Sequence, residues 1–520
     1  MTADGTAEQH DARTPNRVAI AFALLFVVLA SILSIPGAGD PIGAVASLAL
    51  TLGASLAAPA LWVLASVGMG LACLRALGRS GAGSSALALC VGVGLHLTIA
   101  HGLGALGLYA PSIRVFVAWT PVVAGLAMLI PFRRELAESA CQVRLRCPIL
   151  LAAPAVALLV VACAQPPGAI WSSEAHAYDS LSYHLQLPKA WHDAGIIAPL
   201  AHNVYSHLPS YMESAYTQLF AMHPGDPTAG RMTPLFSAHW LHAMLAIATS
   251  CVLAAFVSSR TDRRAGIWAI PLALAVPWVI VVGSLAYNEM AVALMGAGAL
   301  LALFDERLAT ARRGAIIGFL MGVAISAKPT SAFTLALPIG LAMAMVMVIP
   351  PRAWPRVALA TAFAGILTIA PWLARNWVHA GNPVFPYATD LFGTAHWTSE
   401  QVTRWHGAHS SDAGFAQRLA LLAGERGFGH RQWGIFAPLV ALAFVASLLR
   451  SRTRRDAIVL GAILLAQILA WLSVGHLQSR FLLPTIVPGV AIVCLAERAV
   501  RSRSTSVVLA LVALAICALS

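Results

Sequence analysis

The sequence predicts an all-α integral membrane protein with about fifteen transmembrane helices. Of its 520 residues, 59% are hydrophobic and only 10% are charged, and the mean hydropathy is +0.78. Soluble domains contain about 25% charged residues. Apolar windows of roughly 20 residues, the length needed to cross a bilayer, recur along the chain, with arginines clustered between them. These observations exclude a soluble globular domain.

The apolar windows define the predicted spans. They lie at 18–36, 44–74, 84–108, 113–131, 148–164, 236–258, 265–283, 285–304, 313–328, 331–349, 355–373, 433–449, 456–474, 481–497 and 504–519. The windows at 265–283 and 313–328 are short and nearly abut their successors. Each is therefore predicted to form a helical hairpin with the next window, joined by a tight turn.

The placement of arginine predicts the orientation, because cytoplasmic loops retain positive charge. Alternate loops contain arginine groups, such as those that include Arg133, Arg263 and Arg454. The N-terminus is therefore expected in the cytoplasm, and the two long loops, 165–235 and 374–432, are expected outside. The net charge of +12 follows from this bias. Because the arginines are dispersed between spans, no nucleic-acid partner is indicated.

The N-terminal segment and the motif inventory narrow the class further. Residues 1–17 are polar and lead into an apolar window without a clear small-residue cleavage site, so we expect a cytoplasmic tail followed by an uncleaved signal anchor. The sequence has no G-x-x-x-x-G-K-[ST] phosphate loop. Its absence argues against ATP-driven transport by this chain alone.

The first long outer loop shows helical periodicity. Apolar residues in 211–220 repeat at helix spacing, after Pro209 and before His223, which predicts an amphipathic helix lying on the outer membrane surface. A second such segment is expected at 180–192. Together they predict an outer-face loop subdomain of amphipathic helices that roofs a cavity.

Four short segments, all on the predicted outer face, carry the polar residues of interest. They are Tyr178-Asp179-Ser180-Leu181-Ser182-Tyr183-His184 continuing to Lys189; Ala327-Lys328-Pro329-Thr330; Arg375-Asn376-Trp377 with Gly381-Asn382-Pro383; and Gln478-Ser479-Arg480-Phe481. In this order they resemble the bacterial GT-C glycosyltransferases. These polytopic enzymes use polyprenyl-phosphate sugars and include the protein O-mannosyltransferase-like family. The resemblance covers roughly residues 165–500.

The resemblance implies a function, a location and a domain organisation. The chain would move a sugar from a polyprenyl-phosphate donor to a hydroxyl of a glycan, lipid or protein acceptor, with inversion. It would lie among the lipids of the bacterial inner (plasma) membrane, with its active site facing outside. Residues 18–147 would be an N-terminal transmembrane addition, 148–500 the GT-C-like catalytic core and 501–520 a C-terminal transmembrane helix.

Three carboxylates are the catalytic candidates. Asp179 falls on the position of the family's catalytic carboxylate, and an inverting displacement needs one base to take the acceptor proton. The alternative is that Asp179 only caps the helix that follows it. Glu174 and Glu289 are further candidates, although a solvated turn residue explains Glu289 about as well. Tyr183 and His184, in the same motif as Asp179, are assigned to substrate binding.

Cations are needed to hold the phosphate that leaves. The two lysines of the chain, Lys189 and Lys328, map to the outer side, as do Arg375 and Arg480. All four are assigned to substrate binding. The alternative is interfacial snorkelling, which long basic side chains at span ends do routinely. Phosphate binding is favoured for Arg480 and Lys328, snorkelling is favoured for Lys189, and Arg375 is open.

Metal binding receives no assigned ligand. His239 and His242 share a helix face, but such pairs arise by chance in a chain with 17 histidines. A divalent cation held by Asp179 and Glu289 is a further option, since some GT-C enzymes need one. The tandem D-x-D pair that would favour such an ion is absent.

Two other functions stay open. A transporter or flippase of a lipid-linked substrate would also be polytopic and basic inside, and it should show paired broken helices or internal repeats. An O-antigen ligase or polymerase would use a similar outer pocket with a diphosphate lipid donor. The ionisable residues cluster at the predicted outer rim, which favours the transferase.

Overall fold

The computed structural model describes residues 41–79, 81, 84–142, 147–223, 232–347, 349–474 and 476–500. The regular structure in these ranges is helical, and no strand forms within them. The predicted all-α class is therefore confirmed. The tail at 1–17, the window at 18–36 and the C-terminal helix at 501–520 lie outside the described residues and stay predictions.

The helices fall into three stretches of the chain. Before the first long loop they are α1 Pro41–Ser55, α2 Ala57–Ala76, α3 Ser85–Ala105, α4 Arg114–Leu129, α5 Arg133–Gln142, α6 Cys147–Leu150 and α7 Ala153–Cys163. Next come α8 Gln186–Ala194, α9 Tyr211–Met222, α10 Thr233–Arg260, α11 Arg263–Leu274, α12 Pro277–Gly283, α13 Glu289–Phe304, α14 Thr310–Ala327, α15 Leu337–Val346 and α16 Trp354–Ala380. The last are α17 Thr389–Phe392, α18 Ser399–His409, α19 Phe415–Ala423, α20 Phe436–Leu448, α21 Ser451–Val474 and α22 Ile486–Val500.

Within the described residues, eight helices are long and apolar enough to cross a membrane, or nine if one bent pair counts as a span. Four shorter apolar helices accompany them, so the expected count of about fifteen is not confirmed. Large side chains such as Phe363, Leu442 and Leu465 stay exposed along these helices. Contact with lipid tails accounts for such apolar surface. The chain is an α-helical membrane protein.

Close helix packing depends on small residues. A Cβ atom on Gly70 of α2 would lie 1.8 Å from the carbonyl oxygen of Ala88 on α3. A Cβ on Gly318 of α14 would lie 2.0 Å from the carbonyl oxygen of Thr361 on α16. Glycine lets these helices approach backbone to backbone, as small residues do in membrane bundles.

One hydrophobic core runs from α2 to α22, so the helices before residue 148 pack with the rest of the chain.

The helix predicted at 211–220 forms as α9, but the prediction that it lies on the membrane surface is wrong. Every residue of α9 is buried. Its polar side chains meet partners inside the protein: Gln218 accepts from Trp62 Nε1 at 2.9 Å, and Ser214 lies 2.9 Å from His101 Nδ1. The same periodicity suits a membrane surface and a protein interior, and these buried partners decide between them.

The windows at 265–283 and 285–304 are joined by the predicted tight turn, at 284–288. The first window is not one straight helix, because α11 and α12 are bent by 63° at their junction. Pro277 at the start of α12 lacks the amide that would continue the helical ladder. After the turn, α13 starts at Glu289 and is buried over most of its length, which places the turn deep against the core.

Candidate active site

Arg480 lies at the centre of a cluster of three carboxylates. Its guanidinium contacts Glu174 through Nη1 and Asp179 through Nη2, and Nε lies 3.7 Å from Glu289 Oε1. It also stacks over the ring of Tyr287, with its carbon 5.0 Å from the ring centre. Arg480 itself is buried. A buried charge of this kind is costly unless paired, and here the carboxylates pair it.

Lys328 joins the cluster from the end of α14. Its Nζ donates to Glu289 Oε1 at 2.6 Å and lies 4.2 Å from the ring centre of Phe481. A cation over an aromatic face gains a further electrostatic attraction. Two cations from distant parts of the chain therefore share Glu289, and that carboxylate is buried. The alternative that Glu289 is a solvated turn residue is excluded.

Tryptophans fix the backbone that presents Arg480. The hydroxyl of Ser479 accepts hydrogen bonds from Trp433 Nε1 at 2.9 Å and from Trp278 Nε1 at 3.1 Å. The carbonyl of Gln478 accepts from Trp471 Nε1 at 3.0 Å. Rigid aromatic side chains on three elements thus hold the two residues before the arginine, and its position is set by the fold.

The segment that leads into Asp179 is anchored to the 284–288 turn. Trp171 Nε1 donates to Ser284 Oγ at 2.8 Å, and Ser180 Oγ donates to the carbonyl of Ala286 at 3.2 Å. Between these anchors, the backbone at 175–177 adopts three consecutive positive φ angles, of 46°, 55° and 58°. None of these residues is glycine. Such left-handed residues are strained and concentrate at functional sites.

Asp179 does not act as a helix cap. Its own backbone is already helical, and its side chain makes no capping hydrogen bond to the turn at Ser180–His184. The carboxylate reaches Arg480 instead. Glu174 makes a second contact besides Arg480, because the hydroxyl of Tyr287 donates to it at 2.7 Å. Both predicted carboxylates therefore contact the predicted arginine.

Two cavities meet at the Asp179–Arg480 pair. The first, which we call the Lys328 cavity, measures about 360 Å³ and is lined by Asp179, Lys328, Arg480, Glu213, Asn288 and an aromatic wall of Tyr183, Tyr205, Tyr387 and Trp405. The second, the Glu425 cavity, measures about 370 Å³ and is lined by Glu174, Asp179, Arg480, Glu425, Arg426 and His430. Both volumes fall in the range of small-molecule sites, about 300 to 1,000 Å³.

Tyr183 lines the Lys328 cavity as predicted, whereas His184 lies behind its wall. His184 is buried and its Nδ1 lies 2.6 Å from Glu213 Oε1. Glu213 lines the cavity. His184 is therefore not among the residues that line the cavity, whereas Glu213, which it contacts, is.

Lys189 and Arg375 line neither of these two cavities, and their assignment to substrate binding stays a prediction. Lys189 is exposed on α8 and pairs with Asp193 one turn later, at 3.0 Å. Arg375 lines neither cavity and donates from Nη2 to the carbonyl of Leu208 at 2.7 Å. Its neighbour Asn376 donates to the carbonyl of His207 at 2.7 Å. The Arg375-Asn376 pair thus fastens the loop at 207–208, of which Leu208 lines the Lys328 cavity.

The paired histidines predicted as a weak metal motif bind backbone groups. His239 Nδ1 faces the carbonyl of Cys163, and His242 accepts from the amide of Met290 at 3.0 Å. Within the described part of the chain, no group of three acidic, histidine or cysteine side chains is placed to hold a metal ion. One oxygen of Asp179 contacts Arg480 and one oxygen of Glu289 contacts Lys328, so in this structure these two carboxylates form ion pairs with basic side chains.

Burial shifts the ionisation of the site. It raises the pKa of Glu174, against the opposing effects of Arg480 and Tyr287, and lowers the pKa of Lys328, against the opposing charge of Glu289. It also raises the pKa of the Tyr183 phenol well above its ordinary value. Burial disfavours whichever form is charged, so Glu174 resists ionisation and Lys328 loses its proton more easily than a free lysine.

The carboxylate–cation cluster lies beyond the end of α21 that is opposite to Arg454. Arg454 is in the first turn of α21, and Gln478 and Arg480 follow its other end. A helix of 24 residues is about 36 Å long at 1.5 Å per residue. Asp179, which contacts Arg480, is therefore separated from Arg454 by about the length of α21.

An apolar groove of about 770 Å³ lies between α20 and α21, lined by side chains such as Phe436, Phe444 and Leu465. Phe428 also lines it. The neighbours of Phe428 in sequence, Arg426 and His430, line the Glu425 cavity. The groove and the charged cavity are therefore adjacent at the 426–430 segment.

Known proteins do not add to these observations. No family model matches the chain, and no curated protein or solved structure matches it. The similarity to GT-C glycosyltransferases rests on the four sequence motifs.

Proposed function

We propose that this protein is a membrane glycosyltransferase that moves a sugar from a polyprenyl-phosphate donor to an acceptor hydroxyl. The observation that carries the proposal is the direct contact of Asp179 with Arg480 in a cavity that Lys328 also lines. Glycosyl transfer from a lipid phosphate needs a base for the acceptor and cations for the leaving phosphate. These three residues supply both within one space.

The reaction divides between the carboxylate and the cations. Asp179 takes the proton of the acceptor hydroxyl as the acceptor oxygen bonds to the anomeric carbon. The bond from that carbon to the phosphate oxygen breaks, and its electron pair leaves with polyprenyl phosphate. Arg480 and Lys328 stabilise the charge that develops there. The proton then passes from Asp179 to water, and the anomeric configuration inverts.

The ion pair couples donor binding to the release of the base. In the structure Asp179 and Glu174 occupy the Nη atoms of Arg480, so the carboxylate is held as the partner of a cation. A donor phosphate offers the guanidinium a doubly hydrogen-bonding anion. Transfer of Arg480 to this phosphate would free Asp179 to accept a proton only when donor is present.

The apolar groove supports a lipid donor. A polyprenyl chain needs a hydrophobic path next to a site that holds its phosphate. The groove between α20 and α21 adjoins the cavity that contains Arg426 and Arg480. The polyprenyl chain would then lie in the groove, and the phosphate would reach Arg426 and Arg480 at the end of the groove.

The proposed location is the bacterial inner membrane with the N-terminus in the cytoplasm and the site facing outside. The support is the separation of the site from the arginine-rich ends of the helices, since these ends are expected to face the cytoplasm. The glycan, lipid or protein that accepts the sugar would approach from the aqueous side.

The test is transfer by the purified chain in vesicles. Radiolabelled polyprenyl-phosphate sugars are supplied one at a time with a mixed glycan, lipid and peptide acceptor pool. We expect label to leave the lipid for one sugar, with release of polyprenyl phosphate. Retention of the label on every donor lipid, for a folded sample that binds those lipids, would reject the proposal.

A transporter or flippase is the second candidate, because the α11–α12 pair forms one bent unit. Broken helices are typical of transporter binding sites. The charged side chains of the site, however, cluster around Arg480 and the cavities beside it. Movement of a fluorescent lipid-linked sugar across vesicles without transfer would favour this candidate. A ligase or polymerase is distinguished by its preference for a diphosphate donor.

A further inference from the structure

Two residues that line the Lys328 cavity each carry a buried acceptor oxygen that lacks a donor. Among the described residues, neither Glu213 Oε2 nor Asn288 Oδ1 has a hydrogen-bond partner. Both residues line the cavity. Their exposed fractions are 3% and 7%. A buried acceptor without a donor costs free energy that a well-placed ligand donor recovers.

The orientation of Glu213 is fixed. It lies on α9, which is buried on all sides, and its Oε1 lies 2.6 Å from His184 Nδ1. The histidine ring is itself packed against Tyr183, with centres 4.0 Å apart. One oxygen is therefore occupied by the histidine, and the other is left for a further partner.

The amide of Asn288 is also oriented by the fold. Its Nδ2 donates to the carbonyl of Ala327 at 2.9 Å. Because a carbonyl accepts and does not donate, this contact requires the NH₂ group at that position. The oxygen of the amide is then the atom without a partner.

These acceptors select the chemistry of the ligand. A carboxylate and an amide oxygen bind hydroxyl or amino hydrogens, and both repel a phosphate oxygen. The cations Lys328 and Arg480 line the same cavity and attract anions. A molecule that satisfies both walls carries hydroxyl groups at one end and a phosphate at the other. The rings of Tyr205 and Trp405 offer apolar faces beside it.

We infer that the Lys328 cavity is the sugar subsite, in which Glu213, positioned by His184, and Asn288 accept hydrogen bonds from ring hydroxyls of the transferred sugar. This inference rests on the proposed function and deepens it, because it assigns residues to sugar recognition. The phosphate of the same molecule lies toward Arg480 and Lys328. Glu213 is a specificity residue here, and Asp179 keeps the role of base.

The test is equilibrium binding by the purified full chain in lipid nanodiscs. The probes are polyprenyl phosphate and polyprenyl phosphate carrying glucose, mannose or arabinose. We expect the chain to prefer one glycosylated probe over polyprenyl phosphate by about tenfold or more, the effect of one hydrogen bond to a charged group. Glu213→Gln and Asn288→Ala should reduce this preference, while affinity for polyprenyl phosphate stays within about twofold of wild type.

Retained affinity for polyprenyl phosphate shows that the variants are folded. Glu400→Gln, an exposed glutamate on α18 that pairs with Arg404, is the matched control and should keep the full preference. Deoxy forms of the preferred sugar provide a second test. Removal of the hydroxyl that contacts Glu213 should weaken binding by the wild-type protein but not by the Glu213→Gln variant. Unchanged preference in both cavity variants, or equal binding of every deoxy form, overturns the inference.

The two proposals fail differently. If the chain binds a glycosylated probe selectively through Glu213 but never transfers the sugar, the proposed reaction fails and the subsite stands. If transfer proceeds and the Glu213→Gln variant keeps its sugar selectivity, the reaction stands and the subsite fails.

Discussion

Asp179 and Arg480 form a direct ion pair although 301 positions separate them in the chain. Arg480 also binds Glu174 and approaches Glu289 Oε1, and Lys328 contacts the same oxygen of Glu289. Three carboxylates thus face two cations in a partly buried cluster. Burial of charges in this way costs free energy unless the charges pair with one another or with a ligand. In the proposed reaction, this cluster supplies a base and a phosphate-binding pair beside the same cavity.

Replacement of Arg480 should weaken donor binding and transfer together. The arginine is proposed to bind the phosphate in the ground state and, more strongly, as charge develops on it. For Arg480→Ala we expect a loss of roughly tenfold or more in donor affinity and a further loss in kcat, since hydrogen bonds to charged groups contribute ~1.5–3 kcal/mol. Lipid binding and single-turnover transfer are the measurements. Arg404→Ala, on an exposed surface pair, is the control; unchanged donor affinity in Arg480→Ala would contradict the assignment.

Deprotonation of Lys328 should set the upper pH limit of activity. Its pKa is lowered by burial, so kcat/KM should fall as pH rises through a value below that of free lysine, about 10.4. Burial raises the pKa of the nearby Tyr183 and Tyr287 phenols, so these groups do not titrate there. In Lys328→Arg the alkaline fall should move above pH ~12, because arginine stays charged. A pH profile of kcat/KM that is identical in both proteins would exclude Lys328 from donor binding.

A substitution that fills the groove should raise KM according to the length of the lipid chain. Ala441 lines it, and Ala441→Trp would fill part of its volume. We expect KM for a long polyprenyl donor to rise by roughly tenfold, while a donor with one or two isoprene units is unaffected, since each buried CH₂ contributes about 0.8 kcal/mol. Ala358→Trp, at an exposed position on α16, is the control. An equal rise in KM for long and short donors would show that the polyprenyl chain does not bind in this groove.

A glycine substitution in the turn before Asp179 should affect the free energy of unfolding differently from a glycine substitution in a helix. Ala175 has φ 46° and is exposed, so glycine there removes left-handed strain of roughly 1–2 kcal/mol against an unfolded-state cost of about 0.4–1 kcal/mol. Ala175→Gly should therefore leave the free energy of unfolding unchanged or slightly raised. Ala408→Gly, at an exposed position in helix α18, should lower it by ~0.5–1 kcal/mol. Equal destabilisation in thermal unfolding would show that the turn is unstrained.

The sequence singles out several ionisable residues of the site but not Glu213, which lines the same cavity. Asp179, Lys328 and Arg480 stand out as charges at the predicted ends of spans, where a charge needs a reason. Glu213 does not, because α9 has the periodicity of a surface helix and a glutamate on it is expected to face water. Its burial depends on contacts of α9 with helices a hundred or more residues away, such as the Gln218–Ala118 hydrogen bond. The sequence carries no local signal for them.

Arg375 shows the converse. It belongs to a motif with Asn376 and maps to the predicted outer side, as Arg480 does. The structure uses it to hold the carbonyl of Leu208, a structural role that sequence position cannot separate from phosphate binding. The distinction depends on which side of the cavity wall a guanidinium lies, which is a property of tertiary packing.

Asp179 is proposed as the base of a glycosyl transfer from a phosphate donor that Arg480 holds, and the Asp179→Asn variant decides between this role and a purely structural one. Single-turnover transfer from the preferred radiolabelled donor is measured in vesicles beside equilibrium donor binding. Transfer should slow by ~10² to 10⁴, the contribution of general-base catalysis. Donor binding should be retained and tighten by up to roughly tenfold, because a carboxylate that competes for Arg480 is gone. Near-normal transfer by the Asp179→Asn protein would contradict the account and shift the base to Glu174 or Glu289.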